Sequence, residues 1–251
     1  MAGVFWSVRH DPPTVPEQRD IGQALSGLRA ASGAVVAAAQ AERWVLRLGE
    51  LRVDDCAITP VRDGQEATRD VTLYVPEGDA RAALDAIADG LPADYRAGVL
   101  ASRGATLLSL FADAGEHVGV EAEAHAADQV LTVQIFTGCR PSGSELDRAD
   151  PAVGAVPALL DATVAGIGAG GGTGVPASRA VVCPGGGTLS TFEADAGPAG
   201  PESGPRGVPD GTEPVWVEAG GWAYRAGSES VVVTSVGERL RVSVTTGCRA
   251  G

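Results

Sequence analysis

The chain has 251 residues, enough for two domains of ordinary size, and its apolar fraction of 44% is typical of a globular protein. Its formal net charge of −13 argues against a partner with a phosphate backbone, so we expect no nucleic acid. Lysine and asparagine are absent and every basic side chain is arginine, a bias that indicates a GC-rich bacterial genome.

The first fifteen residues predict a tether. Residues 1–8 are mainly apolar and include Phe5 and Trp6, and Arg9 follows them. This pattern resembles the outer end of a membrane-spanning segment, where tryptophan lies at the interface. We therefore expect an ectodomain whose N-terminal membrane anchor was removed, with an ordinary frayed terminus as the alternative.

A first module is predicted over 16–140. Apolar residues at helical spacing indicate a helix over 16–42, which starts near Thr14, Pro16 and Glu17. A second, short helix over 80–89 has Asp79 as its cap. Alternating or β-rich runs predict strands at 44–48, 51–60, 68–75, 106–112 with an extension through 116–124, and 129–137.

A polar linker over 141–151 leads to a second module over 152–251, which opens with a helix marked by Val156 and Ile167. This second module lacks a counterpart of the helix predicted at 80–89 in the first. In that place the Pro- and Gly-rich stretch 194–214 predicts a mobile loop. Strands are predicted at 179–183, 188–194, 215–218, 222–225, 230–236 and 239–246.

An internal repeat relates the two modules. The sequence Thr-Gly-Cys-Arg occurs at 137–140 and again at 246–249, each time after an alternating apolar run. The order of helix, strands and terminal hairpin predicts an α+β fold, in which each module packs a helix on a mainly antiparallel sheet.

The four cysteines fit this repeat. Their spacing matches neither a zinc site nor a redox pair, and one earlier cysteine precedes each copy of the motif. We therefore predict one disulfide per module, Cys56–Cys139 and Cys183–Cys248. Such bonds favour a compartment outside the cytoplasm, whereas four buried thiols in a cytosolic protein are the alternative.

Catalytic signatures are weak. The chain has no G-x-S-x-G and only three histidines, and the glycines at 166–171 follow a helix where a dinucleotide fingerprint would open one. We expect no cofactor. His117, Glu121, Glu123 and His125 share parity on one strand, and we expect them to form a solvated strand face with no metal site; an ion held by Glu121, Glu123 and His125 is the alternative.

An aromatic cluster is the most suggestive local feature. Trp216, Trp222 and Tyr224 flank a predicted hairpin turn, and their shared parity predicts one exposed binding face if the turn keeps register. The alternative is that they fill the core of the second module.

The leading hypothesis is a non-enzymatic, extracytoplasmic protein of a bacterial cell envelope, either membrane-anchored or secreted. It would bind a protein partner or an envelope component, as a sensor ectodomain or an accessory subunit. Its expected contact surfaces are the hairpin at 216–224, the loop at 194–214 and the cleft between the modules. The alternatives are a carrier of lipid or another apolar ligand, and a metal-dependent hydrolase built on Glu121, Glu123 and His125.

Overall fold

The computed structural model describes residues 19–40, 43–102, 104–143, 146–168, 175–199 and 204–248. The expected tether at 1–15 and the predicted helix start near Pro16 lie outside these residues. In the described parts, the elements in chain order are α1 (Ile21–Ala38), β1 (Val45–Thr59), β2 (Arg62–Tyr74), α2 (Ala80–Gly90), a 3-10 turn (Ala93–Tyr95), β3 (Gly98–Ala101), β4 (Leu107–Asp113), β5 (Gly119–His125), β6 (Val130–Phe136), α3 (Ala158–Gly166), β7 (Ala177–Val182), β8 (Thr188–Pro198), β9 (Trp216–Glu218), β10 (Gly221–Ala226), β11 (Glu229–Val236) and β12 (Arg239–Thr245).

The strands form two six-stranded sheets with the same topology. The first sheet has the order β1-β2-β6-β5-β4-β3 and the second has the order β7-β8-β12-β11-β10-β9. Every neighbouring pair is antiparallel. The predicted α+β fold of two related modules is therefore confirmed, and each strand of the first module has a counterpart in the second.

The repeated threonine performs the same task in both modules. The backbone N–H of Thr137 donates to the Ala67 carbonyl, while its hydroxyl accepts from the Ala67 N–H, both at 3.0 Å. Thr246 makes the same two hydrogen bonds with Ser190. Its N–H donates to the Ser190 carbonyl at 2.8 Å, and its hydroxyl accepts from the Ser190 N–H at 3.1 Å. Each threonine thus ends the last strand of its sheet and fastens it to the second strand, which satisfies backbone groups where the ladder stops.

Both predicted disulfides are confirmed. Cys56 on β1 is bonded to Cys139, and Cys183, directly after β7, is bonded to Cys248. The two bonds join equivalent places in the two sheets, because each links the first-strand region to the end of the last strand.

Arg140, which follows Cys139, is 1% exposed and holds a strained turn. Its guanidinium donates to the carbonyls of Thr137, Glu116 and His117 at 2.8, 2.6 and 3.2 Å. Glu116 and His117 both have positive φ, a conformation that costs free energy outside glycine. The buried cation therefore stabilises the turn before β5. Arg249, its counterpart in the repeat, lies outside the described residues.

Helix α1 begins at Ile21, because the Asp20 carboxylate caps it by accepting from the Gln23 N–H at 2.9 Å. Its buried stripe, which includes Leu28 and Val35, packs on the first sheet. Helix α2 begins where the sequence predicts, but the Asp79 side chain makes no cap hydrogen bond. Asp79 instead forms an ion pair with Arg43 at 3.2 Å.

The first half of β1 joins the two modules. The N–H groups of Leu46 and Leu48 donate to the side-chain hydroxyls of Ser230 and Thr191, at 3.1 and 3.2 Å. Val45 is fully buried in the same contact. One face of the second sheet is therefore covered by a strand of the first module, while α3 covers the opposite face.

Several element boundaries differ from the predictions. The strands predicted at 44–48 and 51–60 form one strand with an irregularity between Leu48 and Leu51. Strand β8 continues to Pro198, so the loop predicted at 194–214 starts later. Within that loop Val208 packs on the second core and the Gly207 carbonyl accepts from the Tyr224 hydroxyl at 2.9 Å. The 3-10 turn and β3 were not predicted.

Candidate functional site: the cleft between the modules

The aromatic hairpin is part of the core. Trp216, Trp222 and Tyr224 are 6%, 5% and 0% exposed. The turn has two residues and pairs Trp216 with Ala223, which puts Trp216 on the face opposite Trp222 and Tyr224. The expectation of one exposed aromatic face is therefore wrong, because the register of the turn reverses the parity.

These three side chains fill two different contacts. The ring of Trp216 lies against that of Tyr74, with centroids 4.9 Å apart, in the junction between the sheets. Trp222 and Tyr224 pack beneath α3, where the Tyr224 hydroxyl is 2.9 Å from that of Thr163. Burial raises the pKa of Tyr224 above its usual value, with the Thr163 hydrogen bond opposing the shift.

The residues suggested for a metal site lie on a solvated strand face. Glu121, Glu123 and His125 are exposed on β5 and alternate with buried Val120, Ala122 and Ala124. His117 belongs to the preceding turn. Across the described residues, the structure brings together no group of three or more carboxylate, histidine or cysteine side chains that could hold an ion.

A cavity with a largely apolar lining lies between the modules and has a volume of about 450 Å³. We call it the intermodule cleft. Helix α1 contributes Ala30 and Ala34 to one wall, and Tyr95 from the 3-10 turn lies beside them. The opposite wall is β7 and the turn after it, over residues 180–184, and the linker adds Pro151.

Small residues on α1 create this cleft. Glycine at position 33 allows the helix to approach β7 closely, since a Cβ atom there would lie 2.1 Å from the Val182 carbonyl oxygen. Ala30, one turn before Gly33, and Ala34, the next residue, have short side chains that leave space against the same strand. Helix and strand are therefore in contact at one point and separated beside it.

A buried ion pair fixes the β7 wall. Arg69 on β2 is 1% exposed, and its guanidinium donates to the Ala180 carbonyl at 2.9 Å and to the Asp150 carboxylate. The second oxygen of Asp150 accepts from the Ala180 N–H at 2.9 Å. The N–H and the carbonyl of Ala180 are thus both satisfied by side chains, so at this residue the edge of β7 needs no neighbouring strand.

Arg29 holds the linker at the rim. Its guanidinium donates to the carbonyls of Asp147 and Ala149, both at 2.8 Å. The aliphatic stem lines the cleft while the charged end faces the linker. Arg29 is the one charged side chain among the residues that line this cavity in the described chain.

The arrangement suits binding of a small apolar molecule. Its volume is within the range of small-molecule sites, and an almost wholly apolar lining favours an apolar ligand through the hydrophobic effect. Besides Arg29, the titratable side chain that lines the cleft is Tyr95. Burial, with a smaller contribution from Asp94, raises the pKa of that phenol, so it stays protonated near neutral pH.

The cleft itself was among the expected contact surfaces, but its residues were missed. Pro92, Pro151 and Pro184 all line it, and in the sequence they indicate only helix or strand ends. The alanines of α1 were a usable signal, because small side chains on a buried helix face leave room for a ligand.

Comparison with known proteins adds little to this site. No protein-family model matches the chain, and neither does any curated protein. Among solved structures, a DUF4853 family protein from Actinomyces odontolyticus ATCC 17982 is similar over 69% of this chain and 91% of its own, with 15% identity and a TM-score of 0.39. A likeness at this level assigns neither a family nor a functional residue.

The two disulfides favour a location outside the cytoplasm. Among the helices of the described residues, none combines the length and the hydropathy needed to cross a membrane.

Proposed function

We propose that this chain is a non-enzymatic binding protein of the bacterial cell envelope, and that the intermodule cleft holds the apolar chain of an envelope lipid. The observation that carries the proposal is the cavity of about 450 Å³ whose lining includes a single charged residue. The proposal thus combines two functions expected from the sequence, namely binding of an envelope component and carriage of an apolar ligand.

Compartment and chemistry both support the proposal. The disulfides fit an oxidising compartment, and the composition fits a bacterial source. All four cysteines are bonded, which removes the thiols as nucleophiles. In an apolar site each buried methylene contributes about 0.8 kcal/mol, so a chain of five or six methylenes gains about 4–5 kcal/mol before ordering costs.

The proposal is tested with the uncharged fluorescent probe N-phenyl-1-naphthylamine, together with mass spectrometry of organic extracts of the purified protein. Ala30 is exposed on the cleft side of α1, so Ala30→Trp fills the mouth without disturbing the core. If the bulky ring displaces contacts equivalent to about four methylenes, affinity falls by about 200-fold.

Ala82→Trp is the matched control, because Ala82 is exposed on α2 and does not line the cleft. It should bind the probe like the unchanged protein. Probe binding that is absent, or equally strong in Ala30→Trp, would contradict the proposal. A lipid extracted from the unchanged protein and missing from Ala30→Trp would support it directly.

A further inference from the structure

A second surface of the molecule is open where its counterpart is covered. The face of the first sheet turned away from α1 is concave and encloses about 600 Å³ between strands β4, β5 and β6. Glu121 and Glu123 lie at its centre. Around them are large apolar side chains with substantial exposure, namely Leu100 (63%), Leu107 (36%), Phe111 (47%) and Val130 (38%).

The internal repeat identifies the equivalent face of the second sheet. In the first sheet Glu121 is paired with Phe111 on β4 and with Gln134 on β6. Gln134 and Ser243 both lie three residues before the repeated threonine, and Ser243 is paired with Val232, which in turn is paired with Ala223. Position 232 is therefore the counterpart of position 121.

In the second module this face binds a protein element. Val232 and Ala223 are buried against Val45 of β1 and Tyr74 of β2. The covering element is extended, and its backbone donates to hydroxyls of the second sheet. The fold therefore already contains one example of this sheet face covered by an extended segment.

Charge decides what kind of segment fits the open face. Neither Glu121 nor Glu123 has an ion-pair partner within the described part of the chain, whereas acidic residues at the margin are paired, as in Asp113 with Arg96 and Asp70 with Arg52. Unpaired carboxylates between apolar side chains complement cations that alternate with apolar groups. A second copy of this chain is a poor occupant, because its own net charge is −13.

We infer that the open face of the first sheet is a docking surface for an extended segment of a partner protein, in which arginine or lysine and apolar residues alternate along the one face that contacts the sheet. The surface is continuous with the existing junction, since Val130 at its edge is paired with Tyr74, which contacts Trp216. It is separate from the intermodule cleft.

The probe is a blocked synthetic peptide that repeats Val-Ser-Arg-Ser, so that valine and arginine alternate along one face of the extended chain. We call it the Val-Arg peptide, and its opposite, with glutamate in place of arginine, the Val-Glu peptide. NMR of the isotope-labelled protein should place the amide shifts caused by the Val-Arg peptide on β4, β5 and β6. The double variant Glu121→Gln, Glu123→Gln should bind about five-fold more weakly, the loss expected for two part-exposed charge pairs.

The matched control is Asp54→Asn, Asp55→Asn, which removes the same charge from exposed positions on the β1–β2 hairpin. Its affinity should stay within about two-fold of that of the unchanged protein, because the distant charges are screened. Equal binding by the glutamine variant, equal binding of the Val-Glu peptide, or shifts confined to other surfaces would overturn the inference. Ala30→Trp should leave peptide binding unchanged, so failure of the cleft proposal and failure of this one are distinguishable.

Discussion

The ion pair between Arg69 and Asp150 makes a sharp prediction about stability, because its two members are buried to different extents. The side chain of Arg69 is 1% exposed and that of Asp150 is 20% exposed. Replacing Asp150 by alanine leaves a guanidinium inside the protein with only the Ala180 carbonyl as an acceptor. Replacing Arg69 by methionine leaves the Asp150 carboxylate in contact with water and still hydrogen-bonded to the Ala180 N–H.

The magnitudes follow from that asymmetry. Removing one partner of a buried pair costs about 3–5 kcal/mol, and the orphaned Ala180 N–H adds to it, so we expect Asp150→Ala to lose about 4 kcal/mol of unfolding free energy. Arg69→Met should lose about 2 kcal/mol, because methionine refills much of the volume and the carboxylate is partly solvated. The double variant should then be more stable than Asp150→Ala by about 2 kcal/mol.

Urea unfolding followed by tryptophan fluorescence and by far-UV circular dichroism measures these differences, provided that the denaturant dependence stays constant. The probe for the intermodule cleft gives an independent readout, because Ala180 and Pro151 line that cleft. A double variant less stable than Asp150→Ala would refute the reasoning, as would equal losses in the two single variants.

Two further predictions concern the walls of the cleft and its disulfide. Gly33→Ala should reduce stability by about 2 kcal/mol although alanine favours helix, because its Cβ would meet the Val182 carbonyl. Gly27→Ala should change thermal unfolding little, because its Cβ would be 3.3 Å from a Val118 methyl and a shift of a few tenths of an ångström relieves that contact. Removing either disulfide by paired Cys→Ser changes should cost about 4 kcal/mol on the chain-entropy account. Only the Cys183–Cys248 pair should also weaken probe binding, since Cys183 lines the cleft; similar weakening in both pairs would contradict this.

The features predictable from the sequence were those encoded by local pattern or by the repeat. Alternation locates most strands, and the repeated Thr-Gly-Cys motif pairs the cysteines correctly. Both succeed because strand periodicity and disulfide position depend on each module by itself. The start of α1 was harder to locate, because Asp20 caps the helix four residues inside the apolar pattern.

The aromatic hairpin shows why the sites were less accessible. Trp216 and Trp222 have the same parity, but a two-residue turn pairs position 216 with position 223 and separates the two rings onto opposite faces. The face with Trp222 and Tyr224 is covered by α3 of the same module. The face with Trp216 is covered by β1 of the other module, a contact between residues 184 positions apart in the case of Leu46 and Ser230. No local sequence pattern indicates packing between residues so far apart in the chain.

The two copies of the repeat have the same topology, and their differences lie where function is expected. At the position equivalent to Glu121 the second copy has Val232, and that apolar face is closed by β1 of the first copy. This docking brings β7 beside α1, and the small side chains at 30 and 34 leave the intermodule cleft between them. The junction of the two modules therefore forms the intermodule cleft, which neither module has alone. In the first module the equivalent sheet face stays open and acidic, whereas in the second module β1 covers it.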